Sequence, residues 1–313
     1  MSARSPSIRE QRTVGSALWA AYGDALGFPT ELASPAMVQR RLGSSTSTVL
    51  KPWKRRVGGK YGVDVTIPAG GYSDDTQLRL ATCRALRGDG EFDVETFSKV
   101  ELPIGLAYCL GAGRGSKAAA ANLTSKKVAW FSNFFEVPGS SYVFGGGNGA
   151  AMRVQPHVWA AEDLRSPRGF LKDVARNAVT THGHMRGIGG ALVHAASLAT
   201  VMQTGTVPVV DEWFDFGDAI KEFVKIVDDD EELSDFWHPT WKKKTGYDLK
   251  SAVDTVVDEW VTAVAAVAKV PQADPGKSYA RIVESLGGLT DEERGSGLKT
   301  AHCWPRQERT APS

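Results

Sequence analysis

Gly70-Gly71-Tyr72-Ser73-Asp74-Asp75-Thr76-Gln77 runs directly into the apolar-periodic positions Leu78, Leu80, Ala81, Cys83 and Leu86, and Gly88 stops the run. The pattern is a helix start. The Ser73 hydroxyl can accept from an amide of the first turn, and the two aspartates complement the positive end of the helix dipole. Acidic first turns are common for that reason alone. Two adjacent carboxylates between the hydroxyls of Ser73 and Thr76 are also a compact set of hard oxygen donors, suited to Mg²⁺, Ca²⁺ or Mn²⁺. Consecutive helical positions diverge by about 100°, so two ions side by side suit them better than one shared ion. The spacing offers half of a metal site.

The 313 residues, 42% hydrophobic and 23% charged, are enough for one large domain or two small ones. With 37 basic and 36 acidic residues, bulk charge points to neither a nucleic acid nor a membrane surface. Cys83, Cys109 and Cys303 are far apart without a C-x-x-C pair, against a zinc site or a disulfide scaffold and in keeping with a reducing cytoplasm. The segment from Met1 to Arg12 has no apolar signal-peptide core, and no run reaches the roughly 18 apolar residues of a membrane span.

Outward from the acidic stretch, residues 11 to 27 form a helical pattern rich in small residues (Gly15, Ala17, Ala20, Ala21, Gly23), expected to be a buried central helix. Residues 34 to 69 read as a long irregular connection with a brief strand from Tyr61 to Ile67. It carries the basic cluster Lys51-Pro52-Trp53-Lys54-Arg55-Arg56, either a solvated loop or a phosphate-binding patch with an aromatic for stacking. Helical patterns are predicted at 93–110 with a break at Pro103, then at 116–122 and 125–136. Phe144-Gly145-Gly146-Gly147-Asn148-Gly149 then enters Ala150-Ala151-Met152-Arg153, a glycine run whose bare amides could approach phosphate oxygens. Further helices are predicted at 169–180, 186–202, 211–227 and 248–270, with Thr181-His182-Gly183-His184 between the first two. Asp228-Asp229-Asp230-Glu231-Glu232 and Lys242-Lys243-Lys244 read as a solvated loop region.

Four of these segments resemble the ADP-ribosylglycohydrolase family. Gly71 to Gln77 is similar to its W-T/S-D-D-T-Q signature, Gly23-Asp24-Ala25-Leu26-Gly27-Phe28-Pro29-Thr30-Glu31 to its G-D-A-L-G-x-P-x-E element, Gly145 to Arg153 to its G-x-G-N-G-x-A-M-R segment, and Thr181-His182 to its T-H element. The resemblance implies an all-α, compact orthogonal multi-helix domain over 11–300 with an irregular tail at 301–313. It implies a metal-dependent hydrolase that removes ADP-ribose from a modified protein or nucleic acid. Glu31, Asp74 and Asp75 would be catalytic, and Ser73, Asp74 and Asp75 would bind Mg²⁺ or Mn²⁺. Asp24, Gly145, Gly147, Asn148, Gly149, Arg153 and His182 would bind substrate, with Arg153 alternatively a structural ion-pair partner. The family's two-ion site also draws on a G-D-T-D-T-like motif near the C-terminus, which this sequence does not contain; Asp254-Thr255 reads as a surface pair on an amphipathic helix. The expectation is therefore a C-terminally truncated chain, or one that works with one ion or none. A non-catalytic relative that binds ADP-ribose or a partner, and a hydrolase acting on modified nucleic acid, are the rival readings.

Overall fold

Small residues at the centre and aromatic residues around them decide how the helices pack. The structure is a computed structural model that describes residues 5–271 and 274–301, and it is all-α apart from two short ribbons. The chain opens with α1 (Ile8–Gly27), capped reciprocally by Ser7 and Glu10, and α2 (Pro35–Leu42), set between an N-capping Ser34 and left-handed Gly43. An antiparallel hairpin follows, β1 (Trp53–Val57) on β2 (Val63–Ile67), with Trp53 opposite Ile67. After α3 (Asp74–Arg84) come α4 (Val94–Thr96), a π-helical turn, α5 (Leu102–Gly105) and α6 (Arg114–Leu123). A two-residue ribbon, β3 (Glu136–Val137) with β4 (Ser140–Ser141), precedes α7 (Gln155–Ala160), α8 (Pro167–Val179) and α9 (Met185–Thr204). The remainder is α10 (Val210–Trp213), α11 (Gly217–Asp228), α12 (His238–Thr245), α13 (Leu249–Ala268), α14 (Pro275–Ser285) and α15 (Gly297–Thr300).

Helix α9 is the axis of the core, with α8, α11, α13 and α15 packed around it. Its glycines set the spacing. A Cβ at Gly189 would lie 3.3 Å from Val256 and 3.4 Å from Ile220, and one at Gly190 would lie 2.2 Å from the Gly297 carbonyl oxygen. Three of the buried tryptophans satisfy their indole N–H groups on other elements: Trp260 donates to the Trp213 carbonyl, Trp241 to the Gly183 carbonyl and Trp237 to the Tyr142 hydroxyl. A second, smaller core of Phe28, Val38, Leu42, Trp53 and Ile67 lies beneath the hairpin.

Several expectations are corrected. Residues 34–69 are not an irregular connection but α2 and a hairpin, in which strand β1 alternates a buried Trp53 with exposed Lys54 and Arg56. Helix α1 is not buried: of its residues only Ala25 is, while Val14, Leu18 and Trp19 are exposed, and among the described residues nothing approaches Gly15 or Gly23. Small residues permit close approach without supplying a partner. Only one turn, Trp130–Ser132, forms within 125–136, because the chain reverses at Asn133, whose amide donates to the carbonyls of Ala119 and Thr180. The acidic run is not solvated throughout, since Asp230 is buried against Arg176 at 2.6 Å, and Lys242 to Lys244 lie in α12. Asp254 does lie on the surface, paired with Lys250 at 2.7 Å. The tail expected from 301, with Cys303, lies outside the described residues beyond Ala301. No described helix is long and apolar enough to cross a membrane.

The contact at Gly190 makes a stability prediction. Gly190→Ala forces α15 off α9 and is expected to cost about 1–3 kcal/mol, whereas Gly169→Ala, near the start of α8 with open space around it, is expected to be neutral or stabilising by up to about 1 kcal/mol. Urea unfolding midpoints check this; equal midpoints for the two variants would refute it.

Candidate active site

The N-terminus of α3 is organised by a residue from α1. Asp24 accepts from the Ser73 amide at 3.0 Å, the Ser73 hydroxyl at 2.6 Å and the Thr76 amide at 2.9 Å, so its carboxylate caps α3 in trans. The Ser73 hydroxyl in turn accepts from the Asp75 amide at 3.3 Å. The Asp74 amide donates to the Leu110 carbonyl at 3.0 Å, which draws the loop before α6 across the helix end. That approach requires Gly111: at φ +111° it lies so close that a Cβ would sit 2.4 Å from Asp74 Oδ1.

Asp74 and Asp75 thereby enter a crowded acidic pocket. Among the described residues neither has an ion-pair partner within 4.0 Å. Burial, reinforced by the charges of Glu31 and Asp24, pushes the Asp74 carboxyl up to about 7. Burial, with Asp24 and Asp74 adding repulsion, does the same for Asp75, also to about 7. Glu31, on the exposed turn after α1, is raised too, by partial desolvation that Arg55 and Arg41 oppose. The next residue, Leu32, is the single non-glycine with a positive φ among the described residues, at 48°, a conformation that costs an L-residue about 1–2 kcal/mol. Strain and repulsion therefore meet on one side of this pocket.

The glycine run does not enter a long helix. It leads into a single 3₁₀ turn, Ala151–Arg153, and the six-residue α7. Three of its amides are already engaged: Gly145 donates to the Tyr142 carbonyl, Gly146 to Phe144 and Asn148 to Gly295. With the Gly297 amide donating to the Gly146 carbonyl, the run forms an antiparallel bridge between Gly147 and Ser296. Among the described residues the amides of Gly147 and Gly149 have no acceptor, which leaves them available to an anion. Close approach explains the glycines of α9 as well, since a Cβ at Gly187 would meet the Gly145 carbonyl oxygen at 2.9 Å.

Arg153 is fully buried. It donates to the Gly149 carbonyl, to the Asn177 side chain and carbonyl, and to the Thr181 hydroxyl, while its guanidinium lies over Phe97. Every one of these acceptors is uncharged, so Arg153 is neither in contact with solvent, as a substrate contact would be, nor part of an ion pair; it positions the glycine loop. Asp24, similarly, positions α3. His182 is buried beneath the loop, its Nδ1 bonded to the Thr181 hydroxyl at 2.7 Å and its ring edge 3.2 Å from where a Gly149 Cβ would lie. Burial, aided by Arg153, lowers its pKa to about 3 and keeps it neutral. His184 N-caps α9 by accepting from the Arg186 amide.

The first turn of α6 joins the two halves of the pocket and was not singled out from the sequence. Ser116 Oγ lies 3.1 Å from the Cβ position of Gly149, and Lys117 is the cation nearest in effect to Asp74. Its signal was the run Gly111-Ala112-Gly113-Arg114-Gly115-Ser116-Lys117, glycines and cations at a helix start whose N-cap, Gly113, offers no side-chain acceptor. A third acidic donor is not at hand: among the described residues no three His, Cys, Asp or Glu side chains converge to hold a metal ion. Two carboxylates and a hydroxyl, all hard donors in net negative surroundings, nevertheless suit Mg²⁺ or Mn²⁺, which commonly keep several waters beside one or two carboxylates.

The raised carboxyls predict a pH dependence. Asp74 and Asp75 start from an ordinary value of 3.8 and rise to about 7, so the folded state holds their protons more tightly than the unfolded state. Between those values the folded protein binds more protons, and its stability falls as pH rises through the window. Melting temperatures in chelator-treated buffer are expected to decline from about pH 4.5 to about pH 7.5, and to decline less in the Asp74→Asn/Asp75→Asn variant. Parallel profiles for the two proteins would contradict the assignment.

The sequence model of the ADP-ribosylglycohydrolase family matches residues 5–295. No curated protein matches the chain. The matched span takes in all of α1 with its capping Asp24 and ends at Gly295, whose carbonyl braces the glycine loop, and with that coverage the chain belongs to the ADP-ribosylglycohydrolase family, whose members hydrolyse ADP-ribosylated substrates.

Proposed function

We propose that this chain removes ADP-ribose from a modified macromolecule by hydrolysing the glycosidic bond between ribose and acceptor. The observation that carries the reading is a desolvated pair of carboxylates with no ion-pair partner among the described residues, joined through the first turn of α6 to a loop with two open amides. The Gly147 and Gly149 amides receive the diphosphate, and neutral His182 and buried Arg153 fix the loop that presents them. Ser73, Asp74 and Asp75 would hold Mg²⁺ or Mn²⁺, which when bound polarises a sugar hydroxyl or water and offsets the pocket's negative charge. Glu31 accepts a proton from the attacking water as the water oxygen bonds to the anomeric carbon and the bond from that carbon to the acceptor atom breaks, and the protonated Glu31 then gives its proton to the departing acceptor atom. Its raised pKa brings it nearer to neutrality, where a general base is most effective.

A non-catalytic, ADP-ribose-binding relative is the second reading, favoured by the lack of a third convergent acid among the described residues. Incubation with ADP-ribosylated arginine and serine peptides separates the two. Release of ADP-ribose that depends on Mg²⁺ or Mn²⁺ and stops with chelator supports the hydrolase; ADP-ribose binding without release supports the second reading.

The acidic pair carries its own prediction. Asp74→Asn/Asp75→Asn is expected to weaken Mg²⁺ or Mn²⁺ binding by at least about tenfold, a loss of roughly 1.4 kcal/mol. Its melting temperature in metal-free buffer is expected to hold or rise, because like-charge repulsion is removed. Calorimetric titration giving an unchanged affinity would reject the metal assignment.

A further inference from the structure

From Leu32 to Val63 every charged residue is a lysine or an arginine, in a chain whose charges as a whole nearly cancel. The fold gathers these cations. Helix α2 and the β1–β2 hairpin enclose a cleft of about 660 Å³ lined by Arg40, Arg41, Lys54 and Arg56. The one carboxylate there, Asp64, pairs with Arg56 at 3.3 Å, while among the described residues Arg40 and Lys54 have no ion-pair partner. Trp53, the aromatic of the basic cluster, is buried under the cleft with the Arg41 guanidinium over its ring, so it cannot stack a base. An aromatic that can is Tyr61, at the hairpin turn: 89% exposed, with the Lys60 ammonium above its ring.

The cleft adjoins the acidic pocket. Arg41, which lines the cleft, donates to the Pro29 carbonyl at 2.7 Å, at the turn that carries Glu31, and its charge acts on the Glu31 carboxylate. The Glu31 turn therefore stands between the basic cleft and the carboxylate pair, its charge felt by Arg41 on one side and Asp74 on the other. An acidic peptide would satisfy the cations but has no use for an exposed ring beside them. A nucleic acid meets both features, phosphates on the cations and a base on the ring.

We propose that this cleft binds the phosphodiester backbone of a single-stranded nucleic acid, with Tyr61 as the platform for one base, making a nucleic acid the acceptor that is presented to the acidic pocket. The acceptor assignment rests on the hydrolase reading above; the binding does not.

Fluorescence anisotropy with an unmodified, labelled oligothymidylate of roughly twelve nucleotides tests it. Affinity is expected to fall with salt at a log–log slope of about −3, the value for four phosphate contacts on a single strand. Arg40→Glu/Lys54→Glu and, separately, Tyr61→Ala are each expected to weaken binding about tenfold. ADP-ribose affinity measured by calorimetry is expected to be unchanged in both, which also establishes that the variants are folded. No binding, binding indifferent to the charge reversal, or equally tight and equally sensitive binding of a polyglutamate peptide would each overturn the proposal. Oligonucleotide binding with the expected losses, in a protein that releases ADP-ribose from no substrate, would remove the hydrolase reading and leave the cleft assignment standing.

Discussion

The carboxylate of Asp24 is the constraint on which the site depends. A helix N-terminus leaves its first amides without partners, and an anion placed there is stabilising by up to about 2 kcal/mol when partly buried. Here the anion comes from another helix, so one interaction ends α3, ties α1 to it and fixes where Asp74 and Asp75 project. The same charge repels Asp75 and Glu31, a cost carried locally in favour of chemistry. Beneath the acids the structure is conciliatory. Arg79 spans Gln155, Thr76 and the Met152 carbonyl, and Gln155 continues to His194, which burial keeps neutral.

The glycine loop is held from three directions, and each is polar contact within an otherwise apolar core. The strand-like segment at 295–297 fixes its edge, Arg153 its floor, and the chain from Trp237 through Tyr142 to the Val179 carbonyl fixes the turn before it. A loop so restrained loses little freedom on binding, which is what preorganised donors require. Its close seating on α9 depends on Gly187 lacking a side chain.

What could be read from the sequence follows from how local the cause is. Helix α3 with its Ser73 cap, the amphipathic α13 and the small-residue α9 were legible because periodicity and capping lie within a dozen residues. The all-α class followed from the same patterns. Asp24 and Arg153 were noticed but given to substrate, because what each one bonds is remote in sequence: Ser73 for one, Asn177 for the other. The hairpin was half-hidden because β1 is Trp-Lys-Arg-Arg-Val, whose charges mask a period of two that burial makes plain. Asp230 was misread since a run of acids looks solvated until Arg176, on another helix, is seen beside it. Small residues in α1 announced a possibility of packing and not its fulfilment.

The pairing of Gly147 with Ser296 has a temporal side. Most of the chain must leave the ribosome before the loop finds its edge partner, while α1 and α3, close in sequence, can dock early. Closing so long a segment carries an entropic toll that grows only logarithmically with length, yet it delays the contact. The acid cluster at the start of α3 thus depends on contacts of much shorter sequence separation than the edge of the glycine loop does.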